Sequence, residues 1–235
     1  LRLKATPRHV IVNAKNGLGN RLRALASAMA VAAKVGRPVL LIWVPDLHCN
    51  CSFTSLYKRP LPFALLEEEL PMEQITQVYG HSFHVYNYMR PEPGAIKDEK
   101  VVVDTQRHVY FKSAFLMNHS RGDWPHAYRF LRQLEPVDRV RKMLVADRSM
   151  VGLHVRNIFD APRDAASANS TLGNSAIDGA KKEYGKEGAD ALLKWRQASH
   201  WTNFIGRMEE VMKAQAARGR PLRFYLAADS EEAYA

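Results

Sequence analysis

The run Val10-Ile11-Val12-Asn13-Ala14-Lys15-Asn16-Gly17-Leu18-Gly19-Asn20-Arg21-Leu22 decides the fold class. From His9 to Ala14 it reads as a short, largely buried strand bounded by a turn. Gly17 and Gly19 supply that turn, since glycine permits positive φ and close approach of backbone N–H groups to a ligand. Leu18, Leu22, Leu25, Met29 and Ala32 then recur at helical spacing. Ala24, Ala26, Ala28 and Ala30 keep this helix thin enough to lie close against a sheet. Gly36 is a C-terminal stop with Pro38 behind it. Val39-Leu40-Leu41-Ile42-Trp43-Val44 is a second buried strand, ended by Pro45-Asp46. Strand, helix and strand joined by short turns make a βαβ unit, and hence an α/β fold with a parallel sheet.

Outward from this unit the pattern loosens and returns. Prolines at 60, 62, 71, 91 and 93 break the periodicity between Asp46 and Lys100, which predicts short helices and loops. Residues 101–103 and 109–112 read as strands. Phe130, Leu131 and Leu134 predict a helix, and Val137, Val140 and Leu144 another with Pro136 near its start. Strand character resumes from Ser149 to Val155. The stretch from Asn157 to Asn174 reads as a long loop, and loops of that length are often functional. Helices are expected at 180–195 and 203–217, separated near Ser199-His200, and a last strand at 222–228. The organisation expected is a lobe over 1–135 and the start of a second over 136–235.

Composition narrows the class. The chain has 235 residues, 46% of them apolar and 25% charged, with a formal net charge of +10. These are values of an ordinary globular protein, and the charge reads either as an anionic partner or as a solvated basic surface. The basic residues are dispersed without interleaved stacking aromatics, which argues against nucleic acid. No stretch reaches the ~20 apolar residues of a membrane span. Two cysteines, Cys49 and Cys51, do not make a disulfide scaffold. With His48 they would leave a zinc site one ligand short, so no metal site is expected. Asn-x-Ser/Thr triplets begin at Asn50, Asn118 and Asn169 and hint only faintly at a secretory route. The chain opens at Leu1 and stops at Ala235, a few residues past a strand, and reads as a fragment of a longer protein.

The chemistry is expected at the carboxyl ends of the strands, where open α/β sheets bind ligands. Three segments stand there: the Gly17–Gly19 turn, His154-Val155-Arg156 and Asp229-Ser230. Asn20 either caps the following helix or meets a ligand. His154 and Arg156 are two apart on a strand and share a face. A guanidinium there suits a phosphate, with paired donors and a permanent charge. Asp229 offers two acceptors to the adjacent N–H donors of a guanine edge, which adenine lacks. A buried structural ion pair for Arg156 and a helix cap for Asp229 or Ser230 are the competing readings.

GLGNRLRALASAMAVAAKVGRPVLLIW, GLHVR and FYLAADS together resemble the GDP-fucose-dependent fucosyltransferase superfamily, which includes α1,2-, α1,6- and protein O-fucosyltransferases. The resemblance implies a GT-B-like fold of two Rossmann-like lobes with mostly parallel sheets, the C-terminal lobe truncated in this chain. It implies an inverting transferase that moves fucose from GDP-fucose to a glycan or glycoprotein acceptor, with no cofactor and no divalent metal. By the same resemblance Arg156 holds the β-phosphate and His154 lines the guanine site. Asp229, with Ser230 beside it, binds the base, and Gly17, Gly19 and Asn20 form the donor-facing turn. Asp160, followed by Asp164, is the nearest carboxylate for a base, one place later than the family's aspartate. The segment 1–235 by itself is expected to be catalytically silent. Two other readings remain open: a non-catalytic nucleotide- or glycan-binding module, and an NAD(P) oxidoreductase with Asp46 on the ribose. The latter lacks the third glycine, where Leu22 stands.

Overall fold

The computed structural model of the chain describes residues 7–70, 82–89, 92–147, 149–156, 172–219, 222–228 and 231–234. The chain divides into two compact units, Leu1–Lys142 and Met143–Ala235. Both are built on parallel strands, so the expected mixed α/β class with mostly parallel sheets is the one observed.

The first unit holds a five-stranded sheet. Its strands are β1 (Val10–Ala14), β2 (Val39–Ile42), β3 (Ala64–Leu66), β4 (Phe83–Asn87) and β5 (His108–Ser113), in the order β3-β2-β1-β5-β4. Every neighbouring pair is parallel. β1 is central, and all five of its residues are buried, as expected of a strand covered on both faces. Val10, Val12 and Ala14 join the main core with α1 (Leu18–Val35), while Ile11 packs on the opposite face with Ile42 and Tyr110. α1 ends where the sequence predicts: Gly36 is left-handed at φ 67°, and its N–H bonds Ala32 O. Four alanines of α1 are all but sealed, at 0% exposure for Ala24, Ala26 and Ala28 and 3% for Ala30.

α2 (Trp124–Leu131) packs against α1. It is capped by Asp123, whose side chain accepts from His126 N–H. Close approach between the two segments is locked by Ser27. Its Oγ donates to Gly122 O at 2.5 Å and accepts from Met117 N–H at 2.8 Å. A short helix, α3 (Asp138–Met143), follows. The stretch before it is tied to the first unit by Lys58 N–H to Glu135 O (2.7 Å) and Val137 N–H to Leu56 O (2.9 Å).

Two expectations fail between residues 46 and 103. β3 and β4 are strands that the prolines masked, because each prolyl bond lies outside the hydrogen-bonded residues. The stretch 101–103 is not a strand; Val101 N–H instead bonds Asn118 O at 2.9 Å.

The second unit carries β6 (Met150–Val155) and β7 (Arg223–Ala228), paired in parallel from Met150–Arg223 to Val155–Ala228. Between them lie α4 (Leu172–Ala198) and α5 (Thr202–Ala216). α4 is broken at Gly185, whose φ of 76° and ψ of 175° are outside any helix. Val155, Ala180 and Ala189 are the buried apolar side chains of the second unit among the described residues.

Candidate functional site

In the first unit the candidate residues sit at the carboxyl end of β1. The turn differs from the sequence expectation. Neither Gly17 nor Gly19 takes a positive φ; the left-handed residue is Asn16, at φ 65°. Asparagine tolerates that conformation better than other residues with a Cβ. Gly17 is extended (φ −64°, ψ 164°) and caps α1 without a side chain, and Gly19 is already helical. What the glycines supply is room. A Cβ on Gly17 would first meet His48 O at 3.8 Å, and one on Gly19 would meet nothing within 4 Å. The first turn of α1 carries no acidic residue.

Asn20 does not cap the helix. Its Oδ1 accepts from Arg23 Nη2 at 2.6 Å. Arg23 in turn donates to Ala114 O from Nε (3.3 Å) and Nη2 (2.8 Å) and lies 5.5 Å from the Phe115 ring centroid. The end of β5 and the first turn of α1 are thus joined by one guanidinium.

Arg21 is a structural residue that the sequence reading missed. It is fully buried. Its Nε donates to Asn16 O (2.6 Å) and its Nη1 to Val44 O (2.7 Å). Its Nη2 lies 2.6 Å from Asp46 Oδ2, an ion-pair contact outside good hydrogen-bond alignment. The guanidinium stacks 5.0 Å from the Trp43 ring centroid. The available signal was its place four residues before Leu25, on the buried stripe of α1. Asp46 is consumed by this arrangement, since its Oδ1 also accepts from His48 N–H (2.9 Å) and Cys49 N–H (3.0 Å). That leaves the ribose role of the oxidoreductase reading without its carboxylate.

Cys49 and Cys51 are free thiols 3.5 Å apart, and burial pushes Cys49 up to about 11. Among the described residues no three His, Cys, Asp or Glu side chains are grouped as metal ligands.

On the sheet face opposite α1, Asn13 Nδ2 donates to Tyr110 Oη (2.7 Å) and Glu69 Oε1 (2.9 Å), while Lys15 Nζ meets Glu69 Oε2 at 2.8 Å. Burial alone would raise the Glu69 carboxyl, but the bonds from Lys15 and Asn13 outweigh it and hold the group below the usual range. Burial pushes the Tyr110 phenol up to about 12.

In the second unit, His154 is exposed and stands in register with Ala227. Val155, fully buried, stands opposite Ala228. Arg156 follows directly and is exposed. Its carbonyl accepts from Ser199 Oγ at 2.8 Å and from Arg196 Nη1 at 3.4 Å, which anchors the end of β6 to the end of α4. Asp160, Asp164, Asp229 and Ser230 lie outside the described residues. His200 and Trp201, between α4 and α5, stack on each other at 5.6 Å.

The described elements therefore define an α/β chain of two units with parallel strands in each, and with polar groups where the central strand β1 and the β6–β7 pair end. No protein-family profile matches the chain, and no curated protein matches it. Among solved structures it is similar to the fucosyltransferase NodZ from Bradyrhizobium, at 14% identity and a TM-score of 0.47, over 97% of this chain and 74% of that one. It is similar also to NodZ alpha-1,6-fucosyltransferase co-crystallized with GDP (14% identity, TM-score 0.45, 97% and 73% covered). The same enzyme soaked with GDP-fucose is matched at 13% identity and a TM-score of 0.44, with the same coverage.

Proposed function

We propose that the chain belongs to an inverting glycosyltransferase that moves fucose from GDP-fucose to a glycan or protein hydroxyl. The observation that carries this reading is the position of Arg156. It directly follows the buried last residue of β6, level with the end of β7. A guanidinium at the carboxyl end of a parallel strand suits a diphosphate, and the surrounding GLHVR run resembles the donor motif of the superfamily. In this reading Arg156 holds the β-phosphate, and His154 lines the guanine site. Asp229 accepts from the guanine edge, with Ser230 beside it. Gly17, Gly19 and Asn20 give the first unit a donor-facing turn.

The chemistry is a displacement at the anomeric carbon. The acceptor oxygen forms its bond to that carbon on the face opposite GDP, the bond to the phosphate oxygen breaks, and the acceptor proton passes to a base. Charge grows on the β-phosphate as GDP leaves, and a positioned cation there lowers the barrier. Arg156 takes that role without a divalent ion. Asp160 is the base in this reading, with Asp164 as its neighbour in sequence.

Calorimetry on the full-length protein with GDP-fucose, GDP and ADP tests the reading. GDP and GDP-fucose should bind at least roughly tenfold tighter than ADP, because only guanine offers the donor pair. Equal affinities remove the guanine assignment. A transfer assay with the same protein separates a transferase from a module that binds the nucleotide without turnover.

A further inference from the structure

We infer that Arg23 is a positioning residue that fixes the Asn20 side-chain amide with its NH2 end toward the ligand. The inference rests on the donor reading above only for the identity of that ligand.

Arg23 is itself held from several sides. Two of its nitrogens bond Ala114 O, at 3.3 and 2.8 Å. Its guanidinium lies over Phe115, and Lys97 Nζ lies 4.5 Å from the centroid of the same ring. From this fixed seat Nη2 reaches the Asn20 side chain at 2.6 Å. A guanidinium has donors and no acceptor, so the Asn20 atom against it is the oxygen. A flipped amide would set NH2 against NH2. Both hydrogens of Asn20 Nδ2 are therefore left for other acceptors.

The backbone around Asn20 has the same polarity. The first intrahelical bond of α1 runs from Arg21 N–H to Gly17 O at 3.0 Å. By helix geometry the N–H groups of Leu18, Gly19 and Asn20 have no intrahelical acceptor. Gly17 brings no side-chain cap to take them. With the amide locked by Arg23, the Asn20 side chain adds its donors to those of the free N–H groups at the start of α1. This set of donors suits a ligand rich in oxygen, such as a phosphate or sugar, and opposes one that presents an ammonium or amide N–H. Asn20 is by the same logic a hydrogen-bond donor in the reaction and not a proton acceptor.

The orientation can be read directly, by side-chain 15N relaxation of the Asn20 amide in the full-length protein. Wild type should give an order parameter close to that of the α1 backbone, and Arg23→Lys, which keeps the charge but loses the fork, a markedly lower one. In GDP-fucose turnover, Arg23→Lys should raise KM roughly tenfold with a smaller change in kcat, the size expected for one lost charge-assisted hydrogen bond. Asn20→Asp keeps the shape and the bond to Arg23 but turns the outward donor into an anionic acceptor, and should lose donor binding. An Asn20 amide equally ordered in wild type and Arg23→Lys overturns the inference, as does Asn20→Asp binding GDP-fucose like wild type. A wild type that neither binds nor turns over GDP-fucose counts against the donor reading alone, while the amide relaxation still decides the role of Arg23.

Discussion

The Arg21 guanidinium and the Asp46 carboxylate meet at 2.6 Å, joining the first turn of α1 to the loop after β2. Arg21 is sealed from solvent, whereas the Asp46 side chain keeps 34% exposure. Removing the arginine leaves two carbonyls, of Asn16 and Val44, without their donor. Arg21→Met should therefore cost about 3 kcal/mol, near the lower end for breaking a buried pair. Asp46→Asn, which keeps an acceptor at a half-open position, should cost less. Amide exchange at residues 10–14 through a urea series would measure both; equal losses would mean that the pair, and not the carbonyl bonds, dominates.

The glycines of the first unit separate structure from function. A Cβ on Gly122 would sit 2.3 Å from Met117 O and 3.0 Å from Ser27 Oγ. Gly122→Ala should destabilise by about 1–3 kcal/mol, the usual range for overpacking. A Cβ on Gly19 meets nothing within 4 Å, and the residue is helical. Gly19→Ala should be neutral or stabilising by up to about 1 kcal/mol. If the turn receives the donor, that same variant should bind GDP-fucose more weakly. Parallel melting and calorimetric measurements distinguish the cases, and unchanged binding in Gly19→Ala would take this glycine out of the site.

His108 gives the fold an acid-sensitive point. Its Nδ1 accepts from His9 N–H at 3.0 Å, which requires that nitrogen to be unprotonated. Burial, and then the charges of Arg8, His9 and Arg37, hold its pKa below the ordinary 6.5. The unfolded chain binds the proton more readily, so this contribution is present above about pH 6.5 and is lost as pH falls through the depressed value. His119, lowered mainly by burial, acts in the same direction. Urea midpoints should fall between pH 7 and 5, and less steeply in His108→Asn. Identical slopes would show that other groups carry the effect.

Arg156→Lys should be nearly as damaging to transfer as Arg156→Ala. An ammonium keeps the charge but loses the paired donors. Losing such a group near a developing anion commonly costs ~2.7–4 kcal/mol of barrier, about 10²–10³ in rate. Steady-state turnover of GDP-fucose by the full-length protein is the measurement; more than about half of wild-type activity in the lysine variant would remove the bidentate phosphate role.

Much of the framework was legible because periodicity and punctuation agree. The largely buried run of β1, the alanine-lined α1 and the Gly36 stop all follow from local chemistry, and each stands where it was expected. β3 and β4 were not legible. β3 is only three residues long, and its pairing with Leu40, Leu41 and Ile42 is a tertiary fact that no local pattern encodes. The turn was read correctly in place but not in mechanism, because Asn16 takes the left-handed bend that glycine usually takes. Arg21 falls on the buried stripe of α1 and Arg23 does not. What the sequence hides is their work, a strut against Asn16 O and Val44 O for one and a seat on Ala114 O beside Asn20 for the other.

The shortness of β3 bears on self-association. It is an outer strand of the five-stranded sheet, and exposed sheet edges are templates for aggregation. Here the template is three residues long, preceded by Pro60 and Pro62 and followed by Glu67, Glu68 and Glu69. Two of these carboxylates are engaged within the unit, Glu67 by Thr54 and Glu69 by Lys15 and Asn13. Glu68 remains exposed, and two copies meeting along this edge would set like charges against each other. The proline-broken stretch that obscured the strand in the sequence thus acts as a gatekeeper, keeping a rim of the sheet from pairing with a second molecule at high concentration.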